Sequence, residues 1–199
     1  MRQSKILQGV LIAGGLALSG AVFAATPSSE MLANTCAGCH GTHGNSQGPA
    51  TPTITGISKD YFIDAMQAYQ NDEGNPTVMN RIAKGYTEEE IQAMADFFSS
   101  QKFVAHKQEF NVNTAKRGYI LHNKSCEKCH EDGGRSKEDD AGILAGQWSP
   151  YVRWSLQDYM SGKREAPKKM KKKLDEVVEQ VGQEKAIERL VNYYASQAD

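Results

Sequence analysis

The chain has 199 residues, with 23 Lys/Arg against 24 Asp/Glu, a formal net charge of −1, and 39% hydrophobic residues. That length suits one domain or two small ones, and the near-neutral balance lacks the basic excess of a nucleic-acid binder. The charge is uneven: residues 25–105 hold nine acids and four Lys/Arg, net −5, whereas residues 106–199 hold fifteen acids and seventeen Lys/Arg, net +2.

At the N-terminus, Arg2 and Lys5 precede an apolar run from Ile6 to Leu18, and Val22-Phe23-Ala24 forms a small-residue cleavage site. Residues 1–24 therefore read as a secretory signal peptide cut after Ala24, because the run falls short of the roughly 18 residues a membrane span wants. The expectation is a periplasmic protein with no membrane span after cleavage. A short helix in "SSEMLANTC" then leads to Cys36, Cys39 and His40. Gly, Pro and Thr dominate residues 44–56, which predicts a loop. A helix is expected through Tyr61–Tyr69. Another follows Thr87, where Thr87 and Glu90 make a capping box and Ile91, Met94, Ala95 and Phe98 follow helical spacing.

A linker over 102–113 lacks a helical stripe. Beyond it "AKRGYILHNKSC" leads as a helix to Cys126, Cys129 and His130. A ninety-residue shift places Cys36 on Cys126, His40 on His130, Gly56 on Gly146, Tyr61 on Tyr151 and Tyr69 on Tyr159. Six residues are then added in the second copy, and "FFSSQ" (97–101) meets "YYASQ" (193–197), with Ile187, Leu190, Val191 and Tyr194 repeating the last helix. No alternating strand pattern appears. The expectation is an all-α fold of two tandem copies of one domain, 25–104 and 105–199, each with three or four helices.

Each C-x-x-C-H cluster admits several chemistries. A thioredoxin-like dithiol wants a βαβ setting, which is missing here. Zinc wants two well-placed ligand pairs but no histidine directly after each, and a local disulfide explains the histidine no better. Covalent haem attachment accounts for all three residues: Cys36 and Cys39 anchor one haem and Cys126 and Cys129 a second, while His40 and His130 reach the irons. The predicted cofactors are two haem c groups with iron. A distal ligand must return from downstream. Met79 stands 39 residues after His40 and Met170 stands 40 after His130, and these are the expected iron ligands. Met66 and Met94 lie on apolar helix faces and read as core, and Met160 aligns with Gln70 rather than with a ligand. Among the histidines, His43 is too close to His40 to reach the opposite face. His106 sits in the linker, and His122, one turn before Cys126, reads as a surface or haem-edge residue. Lys163, Arg164, Lys168, Lys169, Lys171, Lys172 and Lys173 bracket Met170, either as a solvated helix face or as a positive ring steering an acidic redox partner.

The ordered segments "MLANTCAGCHGTHGNSQGPATPTI", "MNRIAKGYTEEE", "CEKCH" and "ILAGQWSPY" together resemble the dihaem cytochrome subunit of flavocytochrome c sulfide dehydrogenase. That resemblance implies an all-α fold of two tandem class I cytochrome c-like domains, each wrapped around a covalently bound haem, and no catalytic residue in this chain. It implies an electron-transfer role beside an FAD-containing sulfide-oxidising subunit in a heterodimer, with a soluble acceptor such as a small cytochrome c. It also supports Met79 and Met170 as distal ligands. "LAGQ" and "FFSSQ" are shared with the dihaem cytochromes c4, so a free-standing shuttle to a terminal oxidase is the second expectation. A dihaem peroxidase would want a displaceable sixth ligand and a larger chain. Position 28 is Ser where many class I cytochromes have Gly, and Gly118 keeps the glycine in the second half.

Overall fold

A computed structural model describes residues 27–75, 77–138 and 141–198, so the signal-peptide reading over 1–24 lies outside the described residues. All regular structure among them is helical. The first half contains α1 (Ser29–Asn34), α2 (Ala37–His40), a 3₁₀ turn (Thr42–Gly44), α3 (Lys59–Gln70), α4 (Val78–Ala83) and α5 (Glu88–Ser100). The second contains α6 (Val112–Ser125), α7 (Glu131–Gly134), α8 (Ser149–Ser161), α9 (Lys168–Val181) and α10 (Gln183–Ala195). The excess over three or four helices per half comes largely from the one-turn α2 and α7 around the cysteine clusters.

Local chemistry sets the starts. Thr87 Oγ1 accepts from the Glu90 N–H at 3.2 Å while Glu90 Oε2 accepts from the Thr87 N–H at 2.9 Å, closing the expected box. Ser58 caps α3 through the Tyr61 N–H, and Asn111 caps α6 through the Thr114 N–H. Ser28 resolves the question its identity raised: α1 begins at the next residue, and the Ser28 hydroxyl accepts from the Met31 N–H at 3.2 Å. In the second half α6 runs further back. A Cβ at Gly118 would stand 2.0 Å from the Arg189 carbonyl oxygen, so α6 and α10 cross with their backbones in contact.

Each half has its own core. Leu32, Phe62, Met66, Ile91, Met94 and Phe98 belong to the first, and Leu121, Val152, Val177, Ile187, Leu190 and Tyr194 to the second. In both, the last helix packs on the helix that leads to the cysteines. Matching backbone bonds recur in both copies: Gly56 N–H to the Phe98 carbonyl and Gly146 N–H to the Tyr194 carbonyl, each 2.9 Å. Ile54 N–H to the Gly44 carbonyl (2.9 Å) likewise repeats as Leu144 N–H to the Gly134 carbonyl (2.8 Å).

The halves are joined by polar contacts of defined geometry. Gln147 accepts from the Thr53 N–H at 3.0 Å and donates to the Thr53 carbonyl at 2.9 Å. Trp148 donates from Nε1 to the Ser46 carbonyl at 3.3 Å and stacks on His106, with centroids 4.4 Å apart. His106 Nε2 lies 2.8 Å from Thr53 Oγ1, so this histidine belongs to the junction between the halves. Tyr61 and Tyr69 of α3 meet their repeat equivalents Tyr151 and Tyr159 of α8 around Arg164, whose guanidinium sits 4.6 Å above the Tyr159 ring. The same repeat positions thus meet across the junction, as in a two-fold interface.

Candidate cofactor sites

Both C-x-x-C-H clusters turn sharply after a helix. Cys36 caps α2 and is half-buried, Cys39 is exposed, and the second pair repeats this with Cys126 half-buried and Cys129 exposed. Burial pushes the Cys36 thiol above its ordinary value and the Cys126 thiol up to about 11. A nucleophilic dithiol needs the opposite shift. Among the described residues, no three His, Cys, Asp or Glu side chains converge as they would around a metal ion. The two cysteine pairs therefore do not combine into a tetrahedral zinc site.

His40 is buried, and its Nδ1 lies 2.8 Å from the Pro52 carbonyl oxygen. A carbonyl only accepts, so Nδ1 carries the proton and Nε2 keeps its lone pair. Pro52 lies in the loop expected over 44–56. Gly41 permits the turn into it: its φ is +74°, and a Cβ would fall 2.0 Å from the Asn45 carbonyl oxygen. His130 faces the backbone of Gly142, the repeat equivalent of Pro52, and its Nδ1 is buried without a hydrogen-bond partner. Burial lowers the pKa of both histidines, which favours the neutral imidazole that an iron requires.

Met79 is the second residue of α4, half-buried against the first core. Beside it Asn80 is buried; its Oδ1 accepts from the Thr77 N–H at 2.9 Å, and its Nδ2 is left without a partner. Met170 is half-buried in the first turn of α9, on one stripe with the buried Leu174 and Val177. Met66 and Met94 are core residues, and Met160 packs against the second core. His43 is exposed, edge-on to Phe97.

His122 departs from expectation. It is wholly buried, with Nδ1 3.0 Å from the Tyr194 hydroxyl and Nε2 2.5 Å from a Glu127 carboxylate oxygen. Glu127 also accepts from the Gly133 N–H at 3.3 Å. The network ties the first variable residue of the second cysteine motif to α6 and α10. The equivalents of His122, Glu127 and Tyr194 in the first copy are Leu32, Ala37 and Phe98, so there the contact is apolar. Glu127 five residues after His122 was the available signal in the sequence.

A family profile described as cytochrome c matches residues 25–102. The chain is 37% identical over 78 residues to cytochrome c-554(548) of Halomonas halodenitrificans, covering 38% of this chain and 94% of that protein. The chain belongs to the cytochrome c family. Membership implies covalently bound haem c and electron transfer. This cytochrome c is also 46% identical over 71 residues to the cytochrome subunit of sulfide dehydrogenase of Chlorobaculum tepidum. That match covers 36% of this chain and 64% of the relative, so it spans under two thirds of that protein. Cytochrome c4 of Pseudomonas aeruginosa is 26% identical over 171 residues, 81% of this chain and 84% of that one. In fold, the cytochrome c resembles reduced recombinant cytochrome c4 from Pseudomonas stutzeri at a TM-score of 0.70 and 22% identity, covering 85% of this chain and 96% of that chain. The architecture is two tandem cytochrome c domains.

The residues fit the group the family implies. Each cluster offers two thiols in no disulfide beside a histidine turned to the loop backbone, at Pro52 in one copy and Gly142 in the other, and the buried Asn80 Nδ2 beside Met79 is without a partner.

Proposed function

We propose that this protein is a periplasmic dihaem cytochrome c, the electron-transfer subunit of a sulfide-oxidising flavocytochrome. It would accept electrons from an FAD-containing partner and pass them to an external carrier. The likeness to the sulfide dehydrogenase cytochrome subunit carries this reading. The two units would be 25–104 and 105–199, behind a leader over 1–24. Cys36 and Cys39 would hold one haem c by thioethers, and Cys126 and Cys129 the other. His40 and Met79 would ligate the first iron, His130 and Met170 the second. When bound, each haem supplies an iron that changes by one electron between ferric and ferrous states.

The chain's own residues do the rest. The Pro52 carbonyl fixes the tautomer and plane of His40, leaving Nε2 to donate. Asn80 holds the Thr77 N–H at the start of α4, which sets the orientation of Met79. The Gln147–Thr53 bonds hold the halves in one arrangement, so the distance between the two sites stays constant between electron arrivals.

No nucleophile is left for chemistry at sulfur once the four thiols are used, which is why oxidation of sulfide is assigned to the partner. The near full-length likeness to cytochrome c4 favours a second reading, a free-standing dihaem shuttle. Purification from a native periplasmic extract separates the two. Co-elution of a stoichiometric FAD protein with sulfide-dependent haem reduction is the expected result, and recovery as a lone dihaem protein overturns the subunit reading in favour of the shuttle.

A further inference from the structure

Five lysines, Lys168, Lys169, Lys171, Lys172 and Lys173, occupy the first six residues of α9 around Met170. That end of a helix carries the positive pole of the peptide dipoles, so cations there are disfavoured. The first turn has no acid and Pro167 provides no side-chain cap, so Lys168, Lys169 and Lys172 have no ion-pair partner among the described residues. The helix carrying the first methionine is built the other way. It has the Thr77–Asn80 capping box and a single basic residue, Arg81, in its last turn. Its exposed neighbours of Met79 are Val78 and Ile82. Positioning a methionine therefore does not require lysines. A local rule broken without structural compensation points to function.

The geometry sharpens this. Met170 lies on the stripe of Leu174 and Val177 that turns toward the core, while all five lysines are exposed. Lys171 is held by Asp175 at 2.9 Å and Lys173 by Glu176 at 2.7 Å, each within the helix. Lys168, Lys169 and Lys172 extend into solvent, on a patch about 6 Å long along the axis at 1.5 Å per residue. Asp175, Glu176 and Glu179 follow directly on the same helix, and the first half of the chain carries net −5. An extended polyanion, such as nucleic acid or an anionic bilayer, would meet those acids as well. A compact acidic patch on a small protein would meet the lysines alone.

We propose that the first two turns of α9 are the docking surface for an acidic protein electron acceptor, which collects its electron at the second site. The inference rests on the haem reading of that site given above. One electron leaves the site and one enters the acceptor; no bond forms and no proton moves.

The test uses the reduced holoprotein and a plastocyanin with an acidic patch, with a basic mitochondrial-type cytochrome c as the like-charge comparator. At about 10 mM ionic strength, the triple variant Lys168→Glu/Lys169→Glu/Lys172→Glu should be oxidised by plastocyanin at least about tenfold more slowly than the parent. Retention on immobilised plastocyanin should fall in parallel, and oxidation by the basic cytochrome should quicken. All three differences should vanish near 0.5 M salt, where screening acts within about 4 Å. Glutamates suit that helix end, so the variant should melt no lower than the parent, separating lost docking from lost folding. Equal plastocyanin rates in parent and variant, or rates indifferent to salt, overturn the proposal. So does lysine-dependent binding to phosphatidylglycerol vesicles that exceeds binding to plastocyanin. A haem count below two per chain instead refutes the underlying reading, and the proposal falls with it.

Discussion

At the scale of single residues, the second site rests on a pair that the first lacks, the buried His122 and the half-exposed Glu127. Removing the carboxylate in Glu127→Ala leaves His122 Nε2 buried and unpaired, which should cost about 1–3 kcal/mol in chemical denaturation. Burial holds the His122 pKa below its ordinary value of 6.5, although Glu127 pulls it upward. The unfolded chain therefore takes up the proton first. Stability is full above about pH 6.5 and falls as pH drops through that value toward the lower folded-state pKa. Installing the first copy's apolar set as His122→Leu/Glu127→Ala/Tyr194→Phe should shrink the loss between pH 7 and pH 5, measured by denaturant midpoints. An unchanged acid limb would show that His122 is not the titrating group. That the motif cysteines and histidines stand together was legible because they occupy adjacent positions. His122 was not, because its burial depends on Tyr194, 72 residues away.

At the scale of elements, caps and apolar spacing located α3, α5, α8 and α10 well, since those signals lie within a single helix. The extent of α9 was less legible. Its lysine run read as a solvated face or a steering ring and marked no helix boundary, while its apolar stripe begins at Met170 and continues through Leu174 and Val177. The crossing of α6 on α10 gives a sharp prediction. Gly118→Ala would push a methyl group onto the Arg189 carbonyl and should cost at least about 2 kcal/mol, read as a lower denaturant midpoint. Ser28→Ala in the equivalent position should cost only the value of one exposed cap, about 0.5–2 kcal/mol. The two methionine-bearing helices make a matched test of ligation. Met79→Ala and Met170→Ala should each remove about half of the far-red absorption attributable to sulfur-ligated haem iron. Retention of the full band in either variant removes that methionine from the ligand set.

At the scale of the whole molecule, the ninety-residue repeat announced two copies of one fold, yet not that the copies would meet through equivalent residues. Tyr61, Tyr69, Tyr151 and Tyr159 could be aligned in sequence, but their convergence on Arg164 depends on how the halves dock. That docking should be testable through Gln147→Ala, which strips both partners from the buried Thr53 backbone. The Thr53 amide should exchange with solvent markedly faster while the helical signal of each half is kept. Protection equal to the parent would argue that the junction is held elsewhere. The side-chain amide of Gln147 does for Thr53 what a neighbouring peptide does in a sheet. The first half, cut free near residue 104, would therefore expose backbone groups at Thr53 that it cannot satisfy alone. The duplication would then be hard to reverse, because neither gene half encodes a finished surface.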